Sequence, residues 1–158
     1  MLIFDDQTPP TASNPAPLTV ECIGDVPAPD ASVVIDEADN CGVRLVEFVS
    51  DAALGTCPMV ITRTYRVVDS CDNEILVTQT ITVDDNILPT ASNPLPVTVA
   101  CIADVPAPDP LVVTDEADNC GVRLVEFVSD AASGTCPMVI TRTYRVVDSC
   151  DNEILVTQ

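Results

Sequence analysis

The chain has no histidine, no lysine and no tryptophan, and only five aromatic residues in 158. Without histidine there is no imidazole base for a Ser-His-Asp or Cys-His arrangement, and the commonest zinc ligand is missing. Without lysine there is no Schiff-base nucleophile and no Lys-to-Asn isopeptide crosslink. Phe4, Phe48, Tyr65, Phe127 and Tyr144 are few enough to be consumed by hydrophobic cores, which leaves no stacking platform for sugars. Positive charge is scarce as well: six arginines face 25 acids, for a formal net charge of −19. Such a surface repels nucleic acid and anionic membranes, so neither is an expected partner. No stretch reaches the roughly 18 to 20 apolar residues that a membrane-spanning helix needs. The opening MLIF is too short and uncharged for a signal peptide, so an export signal is expected outside this sequence. Paired carboxylates hydrolyse glycosides only within a cleft, for which a small sandwich offers little room. The chain is therefore expected not to be an enzyme.

What is there is a repeat. A shift of 79 positions superimposes residues 5–79 on 84–158, with 11 differences among the 75 aligned positions. The expected organisation is residues 1–4 as a last-strand segment completing a preceding domain, 5–83 as repeat 1, and 84–158 as repeat 2 with its last strand truncated. Each repeat is small enough to need a covalent staple. Four cysteines per repeat, without a CxxC pair, supply it and point to an oxidising, extracellular compartment.

Runs rich in Val, Ile and Thr between Pro- and Gly-containing turns predict an all-β fold, with strands over 18–22, 31–35, 43–49, 59–68 and 75–83. Short strands at this spacing predict two tandem immunoglobulin-like β-sandwich domains. Residues 69–73 read as a hairpin turn. Ile75, Val77, Ile81 and Val83 share one face of their strand, where Gln79 interrupts them and needs a partner. Arg63 falls on the same face as Tyr65, Val67 and Ile61, so it should reach out or pair with an acid such as Glu47. The Tyr65 hydroxyl is expected on a nearby backbone group.

A strand of about ten residues puts Cys57 and Cys71 at opposite ends of the sandwich, too far apart for a bridge. An up-and-down arrangement then pairs Cys22 with Cys57 and Cys41 with Cys71, repeated as Cys101 with Cys136 and Cys120 with Cys150. Each bridge would close a loop of 30-odd residues, worth about 4 kcal/mol in the loop-entropy model.

The last repeat stops before the TITV that follows Gln79, and MLIF stands in that phase at the front. Leu2 and Phe4 match the inward Ile81 and Val83; Met1 and Ile3 replace Thr80 and Thr82. Either the sequence is a window on a longer covalent array, or chains join head to tail by donating this strand to a neighbour. Both readings make neighbouring identical repeats or chains the partners, and a filament the product.

Acids gather at one end of each repeat: Asp5, Asp6, Asp36, Glu37, Asp39, Asp69 and Asp72 in the first, and Asp84, Asp85, Asp115, Glu116, Asp118, Asp148 and Asp151 in the second. Calcium, which takes six to eight oxygens, is the candidate ion. The competing reading is solvated turns whose Asp and Asn cap backbone groups.

The runs PPTASNP, CIGDVPAPD, DEADNCG, ITRTYRVVDSCDN and VTQTITVDD resemble, in order, the HYR-like immunoglobulin-like repeats of giant Bacteroidota cell-surface adhesins, gliding-motility adhesins among them. The resemblance implies export, tandem arrays and a part in surface attachment or cell movement. It departs at Asp72 and Asp151, where the family often carries glycine. The function expected is a structural segment of an extracellular adhesive fibre acting as a stiff, disulfide-stapled stalk; the alternative is a calcium-dependent surface binding module.

Overall fold

The computed structural model describes Met1–Gln158 and is all-β, in two compact units, Met1–Asp84 and Asp85–Gln158. These are two tandem immunoglobulin-like β-sandwich domains. In unit 1, β1 (Leu18–Val20), β2 (Val43–Leu54), β3 (Met59–Asp69) and β4 (Glu74–Val83) form one sheet in the order β1-β4-β3-β2. β2, β3 and β4 run antiparallel, and β1 lies parallel to the far end of β4.

Alternation along most of β3 and β4 makes this sheet one-sided. Ile61, Arg63, Tyr65 and Val67 of β3 are buried, as are Val77, Ile81 and Val83 of β4, while Thr62 and Thr80 face water. Two apolar clusters follow. Tyr65, Val67, Val77 and Val34 form one, with Ala12, Ala31 and Val33 packed against it; Ile61, Ile81 and Val83 form the other, with Leu18, Val20, Val26 and Met59. Full burial of such a side chain contributes about 1.5–3 kcal/mol.

The layer opposite the sheet is largely without ladders. It is the proline-rich first part of the unit, tied across by the single bridge Thr11↔Ala38. The strand expected over 31–35 is instead a 3₁₀ turn, Ala31–Val33, because the Asp30 carboxylate accepts from Ser32 N–H at 2.9 Å and winds the chain. A second 3₁₀ turn, Ile23–Asp25, follows β1. β2 runs well past the expected end at 49, to Leu54, with irregularities between Val43 and Leu45 and between Phe48 and Ser50. Gln79 finds its partner: Nε2 donates to Ala16 O at 2.9 Å.

Unit 2 repeats the plan with β5 (Val122–Ser133), β6 (Val139–Asp148) and β7 (Glu153–Thr157), in the order β5-β6-β7. It holds the cluster of Val113, Tyr144, Val146 and Val156. The second cluster has no counterpart here. In unit 1 that cluster is built on Ile81 and Val83 of β4, which pair with β1; in unit 2, β7 is Glu153–Thr157 and residues 97–99 form no strand.

Candidate functional site at the acidic loops and the sheet edge

The hairpin turn between β3 and β4 is organised by one buried carboxylate. Asp69 Oδ1 accepts from the N–H groups of Cys71 (2.7 Å) and Asn73 (2.9 Å), and Oδ2 accepts from Asn73 Nδ2 at 2.7 Å. Burial alone would raise the Asp69 pKa, but the Asn73 side chain and the two N–H groups outweigh it and hold the carboxyl below its ordinary value. Asn73 Nδ2 also donates to Asp6 O at 3.0 Å, fastening the incoming chain to the hairpin. Asp148 and Asn152 repeat the arrangement, with Asn152 Nδ2 donating to Asp85 O at 2.9 Å. Asp72 takes φ +68° and Asp151 φ +66°, the left-handed conformation that favours glycine, and each pairs with an arginine, Arg44 or Arg123. The two asparagines were not among the expected site residues; the spacing D-x-x-x-N in the turn was the available signal.

Of the acids expected to share a cation, the structure brings few together. Asp36 accepts from Ser13 N–H and Asp115 from Ser92 N–H, each at 2.9 Å, and each carboxyl is held below its ordinary value by that serine. Asp5 accepts from Gln7, Asp84 lies 3.8 Å from Cys57 Sγ, and Glu37 and Glu116 are exposed. What remains is Asp6, Asp39 and Cys41 in unit 1 and Asp85, Asp118 and Cys120 in unit 2, each set with its ligand atoms within 4.8 Å of one another. Asp39 Oδ2 and Asp118 Oδ2 each accept from the N–H two residues on, at 2.7 Å, while Oδ1 of both, and Oδ2 of Asp85, are buried without a partner. Two carboxylates and a sulfur are a thin donor set for calcium, which takes oxygen ligands in larger number.

The cysteines differ between the units. Cys22 and Cys57 are disulfide-bonded in unit 1, and Cys120 and Cys150 in unit 2. Four of the eight cysteines expected in bridges are thiols in this structure: Cys41, Cys71, Cys101 and Cys136. Cys41 is engaged by the Asp6 carboxylate. That hydrogen bond, then burial, then the charges of Asp6, Asp39 and Cys71 push its pKa up to about 11. Cys101 follows residues 97–99, which lack the strand that would hold them, and it is exposed, as is Cys136.

Arg63 is buried at 3% exposure, and its partner is Asp51 rather than the expected Glu47. Nε and Nη2 donate to the two Asp51 oxygens at 2.9 and 2.8 Å, Nη1 donates to Pro27 O at 2.9 Å, and the guanidinium lies 5.9 Å from the Phe48 ring centre. Arg142, Asp130, Pro106 and Phe127 repeat this. Glu47 pairs with Arg66 on the outer face. The Tyr65 hydroxyl, expected on a nearby backbone group, is buried without a partner, whereas the Tyr144 hydroxyl accepts from Asp109 N–H at 3.4 Å.

A groove of roughly 1010 Å³ runs between residues 96–102 and the start of β6. Met138 is 47% exposed and Val97 58%, whereas their counterparts Met59 and Leu18 are partly buried. Met1, Leu2, Ile3 and Phe4 are exposed and belong to no strand.

What the geometry defines is a small, disulfide-stapled immunoglobulin-like module. The chain belongs to the family of HYR-like domains with four cysteines, whose model matches residues 10–83 and 89–158. HYR-like domains are extracellular, non-catalytic repeat modules that carry disulfides. No curated protein and no solved structure matches the chain. No helix is long and apolar enough to cross a membrane.

Proposed function

We propose that the chain is a stalk segment of an extracellular adhesive fibre, in which identical modules are joined head to tail and mechanical length is the product. The observation that carries the reading is the near-identity of the two repeats, since a unique binding site gives no reason to duplicate its whole scaffold, while reach grows with copy number. Both bridges are proposed for each module: Cys22 with Cys57 and Cys41 with Cys71, and Cys101 with Cys136 and Cys120 with Cys150. Each of the two kinds is bonded in one of two nearly identical units. Cell-surface attachment and a part in gliding are the corresponding cellular roles.

The test is electron microscopy of tandem arrays of two, four and eight repeats. Rods whose length rises in proportion to repeat number, and which collapse on reduction, support the stalk. Flexible coils indifferent to reductant would refute it. A second reading, a calcium-dependent module, draws on the partnerless oxygens of Asp85 and Asp118. It predicts calorimetrically detectable calcium binding that is lost in Asp118→Asn, and an EDTA-insensitive melting temperature would end it.

A further inference from the structure

We propose that closing the Cys41–Cys71 bridge in unit 1, or the Cys120–Cys150 bridge in unit 2, arms a site for one calcium ion, held by Asp6 and Asp39 or by Asp85 and Asp118. This rests on the calcium reading above and adds to it the covalent event that controls the site.

The two units show the same residues in two covalent states. Asp6, Asp39, Asn40 and Cys41 of unit 1 recur as Asp85, Asp118, Asn119 and Cys120 of unit 2. In each set the carboxylate and sulfur atoms lie within 4.8 Å of one another. Cys41 is a thiol, and so is Cys71 nearby; Cys120 and Cys150 are disulfide-bonded.

The difference at sulfur is a difference in donors. The Cys41 S–H donates to the Asp6 carboxylate, which also accepts from Thr8 N–H at 3.0 Å through Oδ1 and from Asn40 Nδ2 at 3.4 Å through Oδ2. A disulfide sulfur has no proton to give. In unit 2, Ile87 N–H (3.1 Å) and Asn119 Nδ2 (3.3 Å) both donate to Oδ1 of Asp85, and Oδ2 is buried without a partner. Asp118 is in the same condition: Oδ2 accepts from the N–H groups of Cys120 and Gly121, at 2.7 and 3.0 Å, while Oδ1 is buried with none. Asp85 is only 3% exposed. Two neighbouring carboxylates, each with an oxygen cut off from both donors and solvent, are costly to hold together unless a cation lies between them. In unit 1 Asp39 Oδ1 is also without a partner, so the thiol on Asp6 is what separates the two states.

The bridge forms by exchange with a disulfide RSSR of the surrounding medium. Two S–H bonds break, one S–S bond forms, and RSSR takes up the two electrons and two protons as two RSH. The donor set left behind is carboxylate oxygen, which suits a hard cation, with water completing the shell. Bound there, calcium ties residues 85–87 to the loop 115–121, beside the existing tie from Asn152 Nδ2 to Asp85 O. Ion and bridge act in sequence, so a module is completed only where the medium is both oxidising and calcium-bearing.

The test is isothermal titration of calcium chloride into three forms of the 158-residue chain. The fully oxidised chain should bind two ions, with Kd of about 10⁻⁴–10⁻³ M, the range of extracellular modules. Cys71→Ala/Cys150→Ala leaves Cys41 and Cys120 as thiols and should bind at least about tenfold more weakly. Adding Cys41→Ala and Cys120→Ala removes the S–H donors as well as the bridges, and should restore the affinity of the oxidised chain. Circular dichroism checks that each form keeps its strands, and the wild-type chain reduced with dithiothreitol gives a second route to the thiol state. Oxidised Asp6→Asn/Asp85→Asn should lose the binding. Equal affinity in the thiol and bridged states overturns the proposal and leaves the calcium reading standing, as does a folded four-alanine variant that stays weak. An oxidised chain that binds no calcium ends both.

Discussion

Removing the acid from the inward-facing ion pair should hurt the protein more than removing the arginine. Arg63 sits among core side chains at 3% exposure, and its charge is met only by Asp51, with Pro27 O and the Phe48 ring as lesser partners. Asp51→Ala strands a buried guanidinium. Breaking a fully buried pair costs about 3–5 kcal/mol. The Asp51 side chain is 34% exposed, so water already screens its side of the pair. Halving the figure gives about 2 kcal/mol. For a unit of this size that lowers the melting temperature by roughly 8–16 °C. Arg63→Met leaves instead a carboxylate that turns to solvent and an apolar chain in an apolar place, at a cost of under about 1 kcal/mol. To move both units together, Asp51→Ala is combined with Asp130→Ala, and Arg63→Met with Arg142→Met; the quadruple variant closes the cycle. Urea and thermal unfolding followed by circular dichroism read the difference. If the methionine chain unfolds first, or the quadruple variant is no better than the aspartate double, the buried charge is not what Asp51 serves.

Three further outcomes are expected. Alkylation of the oxidised, unfolded chain without reductant, followed by intact-mass measurement, should show no adduct if both bridges form in each unit; four adducts would mean that Cys41, Cys71, Cys101 and Cys136 remain thiols. Acid should destabilise both units: Asp6, Asp36, Asp69, Asp115 and Asp130 all have pKa values lowered by folding, so their contribution is complete above the unfolded value near 4 and fades as pH falls through the folded values. A melting temperature flat from neutral pH to below 3 would contradict this. Gly55→Ala should cost roughly 1–3 kcal/mol in chemical denaturation, because φ is +82° there and a Cβ would stand 2.7 Å from Pro58 O; an unchanged midpoint would mean that the turn before β3 can relax.

The strands of the sheet were readable because β3 and β4 alternate cleanly between Val, Ile or Tyr and Thr or Arg, and because the turn after Asp69 carries its own capping residues. The opposite layer was less legible. Its residues pack without a period of two, and a strand such as 31–35 is replaced by a turn that Asp30 winds locally. The partner of Arg63 was missed for a related reason. The register shift between Phe48 and Ser50 places Asp51 opposite Arg63 and leaves Glu47 opposite Arg66, and no residue pattern announces that slip. Among the acids, charge density did not reveal the serines, arginines and hairpin amides that commit most of them individually. The proximity of Asp85 to Asp118 depends on how two distant loops meet.

All six arginines are held in ion pairs with acids of their own unit. No arginine is left over to attract a neighbour, and the uncompensated side-chain charge is negative. Threads assembled from this chain would therefore repel one another sideways, most strongly at low ionic strength. Growth in length would not be accompanied by thickening into bundles unless dissolved divalent ions screened or bridged the acidic flanks.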